Sequence, residues 1–363
     1  MESKKKARII AVYLPQFHPI KENDEWWGKG FTEWKNVAKS KPRFPSHYQP
    51  RIPADLGFYD LRLPDSREAQ TDLAAKYGIY GFCYYHYWFN GKLLLEKPLQ
   101  EVLESKKPDF PFMLCWANEN WSRTWEGSDK EILMKQEYSE EDDLKHIKYL
   151  LNIFKDPRYI KVDGKPVFNI YNSKELPNID KTISLWTIEA KKENLELYIC
   201  RFEGKGTVGE KYMNKGFDAA VEFQPDFSLL SGKMLLPKIV NSFTERLAAK
   251  RFVPHIMSYK NLIKMSLKRP QPNYKRYPCV TPSFDNSARK KDSLIFWGST
   301  PALFKKWFYI VYSKFVPFSD EENFIFINAW NEWAEGNHLE PDLKFGLQYL
   351  ESIRDVVKEL DNN

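Results

Sequence analysis

Eight short apolar runs, separated by helical patterns, constrain the fold of this 363-residue chain more than any other feature. The runs are RIIAVYLPQ, IYGFCYYHYWF, FPFMLCWANE, KPVFNIYN, LELYICRFE, FDAAVEFQP, YPCVTPSFDN and NFIFINAWNE. Most are nearly continuous rather than alternating, which is typical of parallel strands buried on both faces. Eight strand–helix units predict an α/β fold, a (β/α)8 TIM barrel. An open doubly wound sheet is the alternative, but no glycine-rich phosphate-binding turn follows the first run.

We expect a single barrel domain spanning 1–363, with long loops after strands 1 and 6. The first loop covers about 18–64, and the second contains an inserted basic helical segment at about 226–276. Between the strands, SEEDDLKHIKYLLNIFKD predicts a helix capped by Ser139, with acidic residues in its first turn. DSREAQTDLAAKYG predicts another, with Ser66 as its cap and Gly78 as its end.

Charge and cysteine usage limit the classes of function. The net charge of +6 is modest for this length and does not call for nucleic acid. The N-terminal apolar run is short and soon meets Pro15, unlike a secretory signal, and no run approaches the roughly 20 apolar residues that span a membrane. Four widely separated cysteines predict buried free thiols in a reducing compartment. Together these features predict a cytoplasmic protein.

The interval 246–276 is strongly basic. It contains Arg246, Lys250, Arg251, Lys260, Lys264, Lys268, Arg269 and Lys275 and no acidic residue before Arg276. Apolar residues between the basic ones allow peripheral contact with an anionic membrane surface, at the inner face of the membrane. The interpretation that we favour is a solvated helix face.

Polar and aromatic residues follow nearly every apolar run. In a (β/α)8 barrel the carboxyl ends of all strands meet at one face, where the active site forms. The residues selected on this basis are Gln16, His18, Trp34, His86, Trp88, Trp116, Asn118, Glu119, Trp121, Arg123, Tyr171, Glu203, Glu222, Asp285, Asn286, Arg289, Asn331, Trp333, His338 and Glu340. Carboxylates and amides mixed with aromatic faces are typical of a sugar-binding cleft, so we predict that these residues bind substrate.

The stretch NAWNEWAEGNHLEP holds the most suggestive pair, Glu332 and Glu335. In a helical turn, residues three apart have Cβ atoms about 5–6 Å apart. Two carboxylates that close push one pKa up and leave an acid beside a base, as glycosidic bond cleavage requires. The alternative is a solvated loop. The histidines show no HxH or HExxH spacing, so we predict no metal and no cofactor.

The motifs PQFHP…WWGKGFTEW, CWANENW, FDNSAR and NAWNEWAEGNHLEP together resemble the WbsX-like family, over about 8–350 of the chain. That family is associated with O-antigen and other surface-polysaccharide gene clusters and is related to glycoside hydrolase family 99. Members of family 99 are (β/α)8 barrels that act on α-mannosides with retention. Their motif NEWxEGTxIEP resembles NEWAEGNHLEP here, and the sequence departs from it at Asn337 and His338. This departure puts the identity of the substrate in doubt.

The resemblance implies a carbohydrate-active enzyme whose substrate is an oligosaccharide or polysaccharide. A lipid-linked glycan is one form that this substrate could take. It implies that Glu335 is the general acid/base and that Glu332 removes a proton from the 2-hydroxyl of the sugar. Three alternatives stay open: a glycosyltransferase in polysaccharide biosynthesis, a non-catalytic polysaccharide-binding protein, and an enzyme in which Glu119 replaces Glu335 as acid/base and Glu332 is a nucleophile.

Overall fold

The computed structural model describes residues 7–122, 131–204, 208–227 and 254–361. Its centre is a parallel barrel. The barrel strands are β1 (Arg8–Tyr13), β2 (Gly81–Phe89), β3 (Phe112–Trp116), β4 (Lys165–Ile170), β5 (Tyr198–Glu203), β6 (Ala219–Glu222), β7 (Arg276–Tyr277 and Cys279–Val280) and β8 (Phe324–Ile327). All eight correspond to the apolar runs of the sequence.

The barrel closes through β7, which is split in two by Pro278. Its first half pairs with β6, with Ala220 beside Arg276, and its second half pairs with β8, with Cys279 beside Phe326. On the other side, β1 lies between β8 and β2, so the first and last strands of the barrel are hydrogen-bonded neighbours. The (β/α)8 prediction is confirmed.

Helices surround the barrel and fill the loops at its mouth. They span Lys21–Trp27, Trp34–Lys39, Pro64–Lys76, Lys97–Ser105, Glu140–Phe154, Ile179–Lys192, Glu210–Met213, Tyr259–Ser266, Pro301–Lys314 and Gln348–Asp361. Ser139 caps the fifth of these, because its Oγ accepts a hydrogen bond from the backbone N–H of Asp142 at 3.1 Å. The cap predicted at Ser66 is wrong: that helix already begins at Pro64, whose fixed φ suits the first turn.

Short strands and turns complete the described residues. The strands are Lys92–Leu94, Trp121–Ser122, Ile132–Met134, Lys161–Val162, His255–Ser258, Leu294–Trp297, Asn331–Glu332 and Asn337–His338, and the 3-10 helices are Asn286–Ala288 and Trp333–Glu335. The long loops after β1 and β6 are present as predicted. The first carries the helices Lys21–Trp27 and Trp34–Lys39, and the described part of the second carries the helix Tyr259–Ser266.

The main core lies between the barrel and the helices outside it. Trp186, which is fully buried on Ile179–Lys192, packs against Trp116 of β3 and Phe168 of β4. All four cysteines are free and buried, as the sequence predicted. In the described parts of the chain, no helix is long and apolar enough to cross a membrane.

Part of the basic interval 246–276 is described. Lys260, Lys264 and Lys268 are exposed, whereas Leu262 and Ile263 between them are buried against the core. Arg269 is not a surface residue: its side chain is 9% exposed and bonds Glu203. Arg246, Lys250 and Arg251 lie outside the described residues. The helix Tyr259–Ser266 therefore turns Leu262 and Ile263 toward the core, and Lys260 and Lys264 lie on its exposed face.

Candidate active site

A cleft of about 380 Å³ lies at the end of the barrel where the strands finish. Four glutamates of the described chain line it, namely Glu33, Glu119, Glu332 and Glu335. The aromatic residues of its described lining are Trp27, Tyr85, Tyr87, Trp121, Tyr171 and Phe223. Apolar faces beside carboxylates suit a ligand with both CH surfaces and hydroxyl groups.

Glu332 and Glu335 lie on a tight turn directly after β8. The strand Asn331–Glu332 pairs antiparallel with Asn337–His338, and the 3-10 helix Trp333–Glu335 joins them. Gly336 closes the turn with φ 55°, in the left-handed region. A Cβ atom there would lie 2.8 Å from Nε of Arg51 and 3.1 Å from Cβ of Asp285. The turn thus needs glycine for both its dihedral angle and its packing.

Arg289 connects the two glutamates. Its Nη2 lies 2.5 Å from Oε1 of Glu332, and its Nη1 lies 2.9 Å from Oε1 of Glu335. The same guanidinium holds Glu33 through Nε at 3.0 Å and Nη2 at 2.5 Å. One arginine therefore contacts three carboxylates, two of which stand three residues apart on the turn.

The two glutamates of the turn have different surroundings. Glu332 is 7% exposed, and its burial raises the pKa well above the ordinary value, with Glu335 and Glu33 adding to the rise and Arg289 opposing it. The side chain of Glu335 is 28% exposed and reaches the open cleft. Although burial lowers the pKa of Arg289, Glu33, Glu332 and Glu335 raise it well above its usual range. The two glutamates thus differ in how deeply they are buried.

Asp285 supports this site from behind. Its backbone N–H donates to the carbonyl oxygen of Glu335 at 2.6 Å, and its carboxylate accepts from Gln49 Nε2 at 2.9 Å and contacts His47 Nε2 at 2.8 Å. It also caps the short helix that leads to Arg289, by accepting from the N–H of Ser287. Asp285 is 1% exposed, so it holds the site together without entering the cleft.

The turn has a second buried support in Glu340. Its carboxylate accepts hydrogen bonds from Trp333 Nε1 at 2.6 Å, Gln70 Nε2 at 2.6 Å and Tyr59 Oη at 2.9 Å. The ring of His338 stacks on Trp333 at 3.7 Å. Glu340 and His338 thus hold Trp333, and with it the turn, from the buried side away from the cleft.

Asn331 and Trp34 connect the turn to the start of the barrel. Asn331 bonds both backbone groups of Leu14 at the end of β1. Trp34 packs on Trp333, with the ring centroids 5.6 Å apart. The loop after β1 is thus anchored to the turn, and neither side chain lines the cleft.

On β2 the structure selects the opposite face from the one chosen by sequence. His86 and Trp88 point away from the cleft: His86 Nε2 lies 2.9 Å from His146 Nε2, and the indole of Trp88 bonds Asp142 on the same helix. Tyr85 and Tyr87 face the cleft instead. Alternate residues of a strand face opposite sides, so a shift of one position exchanges the two sets.

Several other selected residues also lie behind the cleft. Trp116 is buried against His146 and Trp186. Asn118 bonds both backbone groups of Asn172. Asn286 bonds the N–H of Leu294. His18 is 1% exposed, and its burial lowers the pKa to about 4.

Glu203 and Glu222, at the ends of β5 and β6, form a buried ion cluster rather than a wall of the cleft. Glu203 bonds Arg201, Arg269 and Arg276, and Glu222 bonds Arg269. Arg123 lies outside the described residues. The structure brings seven of the selected residues to the cleft: Gln16, Glu119, Trp121, Tyr171, Arg289, Glu332 and Glu335.

Glu33 is the most important residue that the selection missed. It lies in the cleft, is 2% exposed, and bonds Arg289 and Gln16. The sequence did contain a signal, because Glu33 and Trp27 both lie within the motif WWGKGFTEW. From this loop motif only Trp34 was selected, because most of the selection followed strand ends.

Within the described ranges, no group of three or more His, Cys, Asp or Glu side chains is arranged to hold a metal ion. The position between Glu33, Glu332 and Glu335 is held by the guanidinium of Arg289.

Comparison with known sequences relates the whole chain to one family. The model of the family described as Glycosyltransferase WbsX matches residues 9–353. Two curated relatives, both named uncharacterized protein WxcX, come from two strains of Xanthomonas campestris pv. campestris and are each 39% identical over 354 residues. These matches cover 97% of this chain and 50% of each relative. The chain therefore spans about half the length of the curated relatives that it matches.

Solved structures resemble the chain over almost its full length. A glycoside hydrolase-like protein superposes with a TM-score of 0.61 at 15% identity, covering 98% of this chain and 95% of the other. The GH99 endo-α-mannosidase of Bacteroides thetaiotaomicron superposes with a TM-score of 0.57 at 14% identity, covering 98% of both chains. At these identities the likeness concerns the fold.

Proposed function

Because the chain belongs to the WbsX glycosyltransferase family, we propose that it is a carbohydrate-active enzyme that cleaves or transfers α-linked glycans of surface polysaccharides. One observation carries the proposal: Glu332 and Glu335 lie together on the turn after β8, bound to one guanidinium, in a cleft with aromatic walls. The active sites of (β/α)8 enzymes form at this end of the barrel.

The two glutamates suit different steps of a retaining mechanism. The more exposed Glu335 is the proposed acid, which gives its proton to the departing glycosidic oxygen. Glu332 is the proposed base, which takes the proton of the sugar's 2-hydroxyl. Burial raises its pKa, and the ion pair with Arg289 opposes that rise and favours the carboxylate form that a base requires. The freed oxygen attacks the anomeric carbon as the glycosidic bond breaks, giving a 1,2-epoxide.

The second half of the reaction reverses these proton transfers. Glu335 removes a proton from the incoming water, whose oxygen attacks the anomeric carbon. The epoxide opens, and its oxygen recovers a proton from Glu332. Each step inverts the anomeric carbon, so the configuration is retained overall. Neither glutamate needs to attack the ring, which is consistent with both carboxylates lying on one short turn.

The walls of the cleft supply groups that a sugar requires. The faces of Trp27, Trp121 and Tyr171 can stack on the CH surfaces of a glycan. The amides of Gln16 and Asn23 offer hydrogen bonds to hydroxyl groups. We propose an oligosaccharide or polysaccharide as the substrate.

Transfer is the second candidate, and the name of the family favours it. The same epoxide can be opened by a hydroxyl group of an acceptor sugar instead of water, with no change in the roles of Glu332 and Glu335. Turnover of an aryl α-mannobioside with increasing concentrations of an acceptor oligosaccharide separates the two outcomes. A transferase forms a longer glycan at the expense of free sugar, whereas a hydrolase releases free sugar throughout.

The roles of the pair are tested with aryl α-mannobiosides that carry poor or good leaving groups. We expect Glu335→Gln to slow the poor leaving group by about 10²–10⁴-fold and to spare the good one, which barely needs the proton. Glu332→Gln should slow both, and a 2-deoxy substrate should resist the wild-type enzyme. Glu193→Gln, an exposed change distant from the cleft, serves as the matched control.

Other outcomes would select the alternatives. Rapid turnover of the 2-deoxy substrate, or a covalent glycosyl adduct on Glu119 or Glu332, would reject the epoxide route and favour the Glu119–Glu332 mechanism. Binding of mannosides without any turnover, in the wild type and both glutamine variants, would favour a non-catalytic polysaccharide-binding protein.

A further inference from the structure

We propose that Glu33 and Arg289 form a clamp that positions Glu332 and Glu335 and sets the ionisation of Glu332. Both members are then positioning residues, and Arg289 does not recognise the substrate directly. The inference rests on the proposed function, because it takes Glu332 to be the base.

The contacts of Arg289 carry this assignment. All three of its guanidinium nitrogens are directed at carboxylates: Nε at Glu33, Nη2 at Glu33 and Glu332, and Nη1 at Glu335. Its side chain is 12% exposed. A planar guanidinium fixes its partners in one plane, so the clamp sets the two glutamates of the turn relative to each other.

Glu33 fixes the other end of the clamp. It is 2% exposed and accepts hydrogen bonds from Nε and Nη2 of Arg289 and one, at 3.2 Å, from Nε2 of Gln16. It directly precedes the helix Trp34–Lys39, whose Trp34 packs on Trp333 of the turn. The Trp34–Trp333 contact therefore ties the backbone that carries Glu33 to the turn that carries Glu332 and Glu335.

The clamp members have opposite electrostatic effects on Glu332. Arg289 favours the carboxylate form by a direct ion pair, whereas Glu33 disfavours it, since it is a like charge that shares the guanidinium. Among the described residues, the other ionisable groups that interact with Glu332 include Glu335 on its own turn, Tyr85 and Tyr87 on β2, and Tyr171 after β4. Glu119 and Lys290 also line the cleft.

Opposite effects give the inference a sharp test. Removing the charge of Glu33 with Glu33→Gln should lower the pKa of Glu332, and removing that of Arg289 with Arg289→Gln should raise it, each by at least about one unit. The readout is the carboxyl ¹³C resonance of Glu332 in substrate-free, ¹³C-glutamate-labelled protein, assigned by its loss in Glu332→Gln. Lys290→Gln, which removes another positive charge from the same cleft, is the matched control and should shift it much less.

Kinetics supply the second readout. Because ionised Glu332 is the proposed base, the acid limb of kcat/KM should move to lower pH in Glu33→Gln and to higher pH in Arg289→Gln. Arg289→Lys keeps the charge but loses the fork, so it should lower kcat with a smaller change in the acid limb and little change in KM. Far-UV circular dichroism and thermal unfolding check that each variant is folded.

The two proposals fail in different ways. If the resonance shifts in opposite directions but no glycoside is turned over, the clamp stands and the proposed function fails. If glycosides are turned over but both variants shift the resonance in the same direction, or neither shifts it, the clamp is wrong. An increase in KM confined to anionic glycans in Arg289→Lys would instead identify Arg289 as a substrate-binding residue.

Discussion

Glu340 shows how one buried carboxyl group links the stability of the turn to pH. It is 2% exposed, and its hydrogen-bond donors come from the turn (Trp333), the loop after β1 (Tyr59) and the helix Pro64–Lys76 (Gln70). Burial raises its pKa to about 7, although the donors act in the opposite direction. The group is therefore kept at a cost in free energy whenever it is ionised.

This pKa predicts a pH-dependent effect of Glu340→Gln. Between pH 4.5 and about 7 the folded protein binds a proton that the unfolded chain has released, so this group's contribution to stability falls as pH rises. Glutamine cannot ionise. As pH rises from 4.5 to 8, the free energy of unfolding of the variant should therefore increase by about 3 kcal/mol relative to that of the wild type. Urea unfolding of both proteins across this range measures the difference. A difference in unfolding free energy that is constant with pH would contradict the prediction.

Individual site residues were hard to choose because successive residues at a strand end face opposite sides of the barrel wall. At the end of β6 the carboxylate of Glu222 was selected, but Phe223 beside it lines the cleft. On β2 the same one-residue error exchanged the pair His86 and Trp88 for Tyr85 and Tyr87. A strand that is apolar on both faces shows no alternation of polar and apolar residues. Its sequence therefore does not indicate which side chains face the interior of the barrel.

At the scale of elements, the eight strands could be predicted because each is a continuous apolar run. The split of β7 at Pro278 could not, since it depends on pairing with two different neighbours, β6 and β8. The start of one helix was read correctly from the capping side chain of Ser139. The start of Pro64–Lys76 was misassigned, because Ser66 was taken as a cap although Pro64 suits the first helical position.

The turn that carries Glu332 and Glu335 predicts a specific penalty for Gly336→Ala. Gly346→Ala is the matched control, because Gly346 has φ 52° but nothing within 4 Å of its Cβ position, whereas Gly336 has φ 55° and faces Arg51 at 2.8 Å. In the control the free energy of unfolding should fall by only about 1–2 kcal/mol, the cost of placing a non-glycine residue in the left-handed region. Gly336→Ala should lose more, and it should lower kcat because Asp285, which bonds the backbone of Glu335, must move.

Thermal unfolding and aryl-glycoside kinetics of the two alanine variants check this prediction. The informative quantity is the difference between them, since both variants share the conformational cost. Equal losses of stability and unchanged kcat in both variants would show that the space beside Gly336 is not a constraint on the turn.

At the scale of the whole molecule, the parallel barrel closes through the two halves of β7, one paired with β6 and the other with β8. The four cysteines lie on four different barrel strands: Cys83 on β2, Cys115 on β3, Cys200 on β5 and Cys279 on β7. Each is at most 1% exposed, and burial raises the pKa of the thiols of Cys115, Cys200 and Cys279. A thiol reagent therefore needs the barrel to open before it can react.

We expect the chain to behave as one unit, so the four thiols should become reactive together. Native protein should react with Ellman's reagent at least about 10³-fold more slowly than the denatured chain, because global opening costs several kcal/mol. In subdenaturing urea all four should be labelled with a single rate constant, since every barrel strand is hydrogen-bonded to two neighbours. Mass spectrometry of labelled peptides assigns the rates. Early labelling of Cys279 alone would instead show that the split strand β7 opens locally, and that the barrel is weakest where that strand closes it.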